Sequence, residues 1–197
     1  MCSTLAKSCI MILLTGSFFL NSCVQSERTQ QPSNDPFASL KEYGSLPEFT
    51  GYTDENKEAN SSLLKSKTTI ISFFFTSCGD ICPKLNLVKS RIVKNHASES
   101  LRFISVTVDP LTDTPSHLRE HRQLMQFTDK RWSFVRMDND SILESFMNGM
   151  LIGYAENPQN HTARLILLDS KSRIRGYFDA LDKQQVDLLE SILEKVQ

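Results

Sequence analysis

Residues 68–75 (Thr-Thr-Ile-Ile-Ser-Phe-Phe-Phe) are β-branched or aromatic apart from Ser72. A strand this apolar on both faces belongs inside a sheet covered on both sides. A second run of the same kind occupies 101–108. Between the two, Leu85, Val88, Ile92 and Val93 recur at helical spacing within 82–96. Strand, helix, strand in that order implies a parallel crossover. Asp113-Thr114-Pro115 reads as the cap of a helix running to 126, and 133–137 as a shorter strand. A helix over 141–150 carries Ile142, Leu143 and Phe146 on one side. Residues 163–168 and 174–178 read as a hairpin turning at 169–173. The chain closes on an amphipathic helix over 184–196, with Val186, Leu189, Ile192, Leu193 and Val196 inward.

The resulting order, β-α-β-α-β-α-β-β-α, predicts an α/β fold: a thioredoxin-like three-layer domain with a mixed central sheet flanked by helices. Lys plus Arg is 22 and Asp plus Glu 23 in 197 residues, with no basic tract. Nucleic acid is thereby excluded as an expected partner, because phosphate binding needs clustered cations. A monomer is expected.

The N-terminal end reads as a targeting segment. Lys7 precedes an apolar run over 9–20, the length of a secretory h-region and short for a membrane span. Leu20-Asn-Ser-Cys23 then resembles a bacterial lipobox. The expected organisation is a lipoprotein signal peptide at 1–22, a lipid-anchored flexible tether at 23–45 and the domain at 46–197. Cys23 would carry the lipid, and the domain would face the periplasm from a membrane of the bacterial cell envelope.

With Cys2 and Cys9 in the leader and Cys23 acylated, only Cys78 and Cys82 of the five cysteines remain for the soluble part. They lie in Thr76-Ser-Cys-Gly-Asp-Ile-Cys-Pro83, at a strand-to-helix junction. A disulfide between them would close a loop too small to stabilise much through chain entropy. A helix N-terminus favours thiolate over thiol, and i, i+4 spacing puts both sulfurs on one face. The pair can therefore chelate a soft metal ion or cycle between dithiol and disulfide. Of the four histidines, His117 and His121 read as a solvated pair, and His96 as a helix-end residue. His161 follows the polar loop 156–160 and precedes a strand, which makes it the candidate partner of the cysteines. Two sulfurs and an imidazole suit Cu(I), whereas zinc prefers a fourth ligand; the expected cofactor is a copper ion, Cu(I) with Cu(II) as the alternative. Asp80 reads as a local hydrogen-bonding residue at the turn, and Asp109 and Asp113 as strand-end and cap residues.

Three blocks then carry a family resemblance. Phe75-Thr-Ser-Cys78-Gly-Asp-Ile-Cys82-Pro83 looks like the signature of the SCO/SenC family. Val106-Thr-Val-Asp109-Pro110-Leu-Thr-Asp113-Thr114-Pro115 resembles its second signature. His161-Thr162 with Leu165-Ile-Leu-Leu168-Asp169 resembles its third. The resemblance implies a thioredoxin-like copper protein of cytochrome c oxidase assembly, with Cys78, Cys82 and His161 as copper ligands. It implies delivery of copper to the binuclear site of oxidase subunit II, or reduction of that site's cysteines beforehand. Asn160 departs from the aspartate that commonly precedes the histidine, Thr112 from a frequent arginine, and Met137-Asp138 from a Thr-Gly turn.

Two activities of different kind thus stand side by side: a copper metallochaperone and a thiol–disulfide oxidoreductase, the latter with Cys78 and Cys82 as catalytic residues. A thiol peroxidase fits less well, since Thr76 is two residues before Cys78 rather than three and no arginine is clearly placed.

Overall fold

The computed structural model describes residues 35–153 and 162–196, all of which fall in one unit, residues 33–197. The elements are β1 (Thr50–Thr53), β2 (Glu58–Asn60), a 3-10 turn (Ser61–Leu64), β3 (Thr68–Phe74), α1 (Ile81–Asn95), β4 (Leu101–Thr107), α2 (Pro115–Leu124), β5 (Trp132–Met137), α3 (Asp140–Gly149), β6 (Arg164–Leu168), β7 (Ile174–Asp179) and α4 (Lys183–Leu193). One mixed sheet runs in the order β2-β1-β5-β4-β3-β6-β7. β3, β4 and β5 are parallel, and β6 returns antiparallel beside β3.

Every residue of β3 is buried, because the sheet is covered on both faces. Alternation divides its side chains. Ile70 and Phe74 join a cluster with Leu85 and Ile92 of α1, Leu118 of α2 and Val186 and Leu189 of α4. Ile71 and Phe73 join the opposite cluster, with Leu143, Phe146 and Met147 of α3. The mixed sheet with helices on both faces is the architecture expected from the strand and helix pattern. Phe73, Phe74 and Phe75 are core residues, as read.

Two features differ from expectation. The hairpin β1–β2 extends the sheet beyond β5 and has no counterpart in the sequence pattern. The folded part also includes residues 35–45, ahead of residue 46. Phe37 is buried in the α1/α4 cluster. The buried Arg175 guanidinium donates to the carbonyls of Phe37 (2.6 Å) and Leu40 (2.9 Å). Tyr43 N–H donates to the Ile174 carbonyl (2.9 Å). Residues 35–45 are therefore packed chain, not tether. The leader at 1–22, Cys23 and the remainder of the tether lie outside the described residues. No helix among the described residues is long and apolar enough to cross a membrane.

Candidate functional site

Because β3 and β4 are parallel, their carboxyl ends lie at the same end of the sheet, with Phe74 paired to Thr107. β6 runs antiparallel to β3, so β6 begins at that end. Three segments distant in sequence thereby converge: the turn after β3, the turn after β4 and the entry to β6. Open α/β sheets bind ligands at such ends.

The turn after β3 carries the cysteines, and its position is fixed from below. Val108 N–H donates to the Phe74 carbonyl (2.8 Å), and Cys78 N–H to the Phe75 carbonyl (3.2 Å). Asp113, 1% exposed, is the anchor. Its carboxylate accepts from the Thr76 backbone N–H (3.0 Å) and from the hydroxyls of Thr76 and Thr107. Asp113 was expected to be a cap residue; the cap of α2 is Thr114 instead. A carboxylate with three donors ties the cysteine turn to β4, two residues before Cys78.

α1 begins at Ile81, with Cys82 and Pro83 in its first turn. Pro83 fits there because its missing N–H would have no intrahelical partner. The Asp80 side chain makes no capping hydrogen bond. It points to solvent and pairs loosely with Lys84 (3.7 Å), so the local role read for Asp80 is not the one it has.

Both cysteines are reduced, with no disulfide between them, Cys78 half-buried and Cys82 buried. Burial works against a Cys78 thiolate. The Cys82 thiol and the backbone N–H groups of Cys82, Asp80 and Ile81 outweigh it and hold Cys78 below its ordinary value. Burial pushes Cys82 the other way, to about 12, with the hydrogen bond to Cys78 adding to the rise. The outer sulfur thus gives up its proton more readily than the inner one.

Beneath Cys82 the buried face of α1 holds Leu85, Asn86, Lys89, Ile92 and Val93. Lys89 is 2% exposed. Its ammonium donates to Ser72 Oγ of β3 (3.0 Å) and Ser105 Oγ of β4 (2.8 Å) and lies over the Trp132 ring (4.8 Å). Burial lowers its pKa to about 7, and a thiolate at Cys82 would pull it back up. Sequence reasoning passed over Lys89. The available signal was a lysine at i+7 from Cys82 on an otherwise apolar helix face.

Of the three described histidines, His121 departs from expectation. His117 is exposed, with Nδ1 2.6 Å from the Thr112 carbonyl. His121 is buried rather than solvated, packed against the rings of Phe74 and Phe134 (5.4 and 5.9 Å). His96 caps α1 and is buried. His161 and Asn160 lie outside the described residues. Among the described residues no three metal-ligating side chains cluster. Of the two cysteines only Cys82 is on the helix; Cys78 lies in the turn ahead of it, so the two do not share a helical face as their spacing predicted. Two sulfurs held by one turn fit a soft, low-coordinate ion in donor chemistry, and a third donor has to come from elsewhere.

The sequence matches the SCO1/SenC family over residues 37–197. The chain belongs to that family. A relative from Bacillus subtilis (strain 168), the SCO1 protein homolog, is 28% identical over 100 residues, covering 50% of this chain and 52% of the relative. The match thus spans about half of that relative's length. Among solved structures, BsSco superimposes with a TM-score of 0.69 at 20% identity, over 79% of this chain and 95% of that one. It is described as a Sco-family cytochrome c oxidase assembly protein with a disulfide switch. Bradyrhizobium japonicum ScoI with copper bound gives a TM-score of 0.62 at 19% identity, over 78% and 99%. At these identities the likeness is one of fold, and the fold of this SCO1/SenC protein is thioredoxin-like, as its strand order predicted.

Proposed function

We propose that this protein is an extracytoplasmic copper metallochaperone that carries Cu(I) on Cys78, Cys82 and His161. Its acceptor would be the binuclear copper site of cytochrome c oxidase subunit II. The carrying observation is the reduced cysteine pair: half-buried Cys78 in the turn before α1 and buried Cys82 in its first turn, with the turn before α1 pinned by Asp113. Soft thiolates favour Cu(I). His161 is three residues ahead of β6 in sequence, and β6 starts at the dithiol end of the sheet. Oxidase assembly, named for BsSco, and the bound copper of ScoI support this cargo and this client.

The test is Cu(I) stoichiometry and affinity of the purified, reduced protein, by competition with a chromophoric chelator. One equivalent is expected. Cys78→Ser, Cys82→Ala and His161→Ala are each expected to weaken binding by at least ~100-fold, beyond the loss usual for groups that only orient a ligand. Unchanged affinity in Cys82→Ala would refute the carrier.

The unequal thiols favour a second reading, thiol–disulfide exchange. A Cys78 thiolate would attack a disulfide of subunit II or another exported protein, and Cys82 would resolve the mixed disulfide. The client's cysteines would leave reduced, and the Cys78–Cys82 disulfide would form. Exchange that survives His161→Ala, with weak copper binding in wild type and variant alike, would favour this reading.

For location, we propose a lipid anchor at Cys23, with a tether ending before Asp35 and the domain in the periplasm. Radiolabelled palmitate should enter the wild type and not Cys23→Ser. Equal labelling of the two would refute the anchor.

A further inference from the structure

Lys89 is a buried cation with an unusual set of neighbours. Its ammonium has two serine hydroxyls as acceptors and aromatic faces of Trp132 and Phe74 alongside. Among the described residues no carboxylate forms an ion pair with it. The one ionisable group that acts to keep it charged is Cys82. Asn86, between the two on the same helix face, has both amide atoms buried without a partner.

The geometry of α1 explains the coupling. Seven residues make almost two whole turns, so Cys82 and Lys89 lie on one stripe. Helical side chains lean toward the N-terminus. The long lysine therefore leans toward the cysteine end of α1, where its ammonium meets Ser72, Ser105 and the rings of Phe74 and Trp132.

We infer that Lys89 is a positioning residue that makes the Cys78/Cys82 site selective for a monovalent over a divalent soft ion. The inference rests on the copper reading above. Two thiolates holding Cu(I) carry a net charge of minus one, which the Lys89 ammonium neutralises inside the fold. Two thiolates holding a divalent ion are already neutral. The ammonium then faces a neutral site with no anion to offset its desolvation. Opposite charges separated by low-dielectric protein interact strongly, so the difference falls on affinity.

The experiment compares Cu(I) and Cd(II) affinities of the wild type with those of Lys89→Met and Lys89→Gln. Each ion is measured by chelator competition and by its thiolate charge-transfer absorbance. Met matches the length of lysine without its charge, and its fold should hold because a desolvated charge is removed. Gln retains a donor for the serine hydroxyls. In both variants the ratio of Cu(I) to Cd(II) affinity should fall about tenfold or more. Lys84→Met, an exposed lysine in the first turn of α1, should leave the ratio unchanged because solvent screens it.

A purely structural Lys89 would move both ions together or neither, and either result overturns the proposal. A wild-type ratio in Lys89→Gln would do the same, reducing Lys89 to a hydrogen-bond donor. If Lys89→Met fails to fold, Lys89→Gln decides. A wild type that holds Cd(II) but no Cu(I) refutes the copper reading instead. Cu(I) held with an unaltered ratio in the variants refutes only the role of Lys89.

Discussion

His121 shows how a single side chain can defeat a pattern read from sequence. With His117 at i, i+4 among Arg, Glu and Gln, it looked like part of a wet helix face. The aromatic residues that enclose it come from β3, β5 and the turn after α2, and no local window contains them. Its Nε2 is buried without a partner. Burial lowers its pKa below the ordinary 6.5, the Lys89 charge adds to this, and Asp113 opposes it more weakly. The sign of the pH effect follows. As pH falls below about 6.5, the unfolded chain takes up a proton at His121 that the folded chain refuses. Stability present above that value is therefore lost as pH drops through the folded pKa. At its steepest the loss approaches ~1.4 kcal/mol per pH unit. His121→Leu should lack this slope. Urea unfolding of both proteins across that window checks it, and parallel slopes would show that His121 titrates alike folded and unfolded.

At the scale of elements, most of the sheet was legible because burial on both faces writes an unbroken apolar run. β3, β4 and α1 fall within one residue of the expected ends. β1 was not legible, since Thr-Gly-Tyr-Thr offers no apolar face to a strand reading. What lets it pair is a missing side chain. A Cβ on Gly51 would sit 2.2 Å from the Arg136 carbonyl oxygen of β5, so only glycine allows that approach. The candidate site divides the same way. The cysteine turn announces itself by residue type and spacing. Its supports, Asp113 and Lys89, do not, because each acts through a partner on another strand. Asp113 looked like a helix cap since a cap residue does follow it, and only the parallel pairing of β3 with β4 turns its carboxylate toward Thr76.

For the whole molecule, the N-terminal boundary matters most. A polar, proline-containing stretch reads as linker, yet its last part closes the α1/α4 side of the core. Phe37 fills a place beside α4, and Arg175 is buried only because the carbonyls of Phe37 and Leu40 receive it. Glu42 adds ion pairs to Arg173 (3.1 Å) and Arg175 (3.9 Å). A chain begun at residue 46 should therefore lose the aromatic ring and leave a buried guanidinium short of acceptors. Removing a buried phenylalanine alone costs ~3 kcal/mol, and the orphaned hydrogen bonds add to that. A chain begun at residue 35 should unfold in urea like the longer protein, and one begun at residue 46 should unfold at distinctly lower urea. The proposed copper site predicts the opposite insensitivity. Asp113, Lys89 and both cysteines are fixed by β3, β4 and α1, so Cu(I) stoichiometry per folded molecule should be equal in the two. Equal urea midpoints would return residues 35–45 to the tether. A shifted midpoint with intact copper binding would separate the scaffold that closes the core from the sheet end that carries the two cysteines.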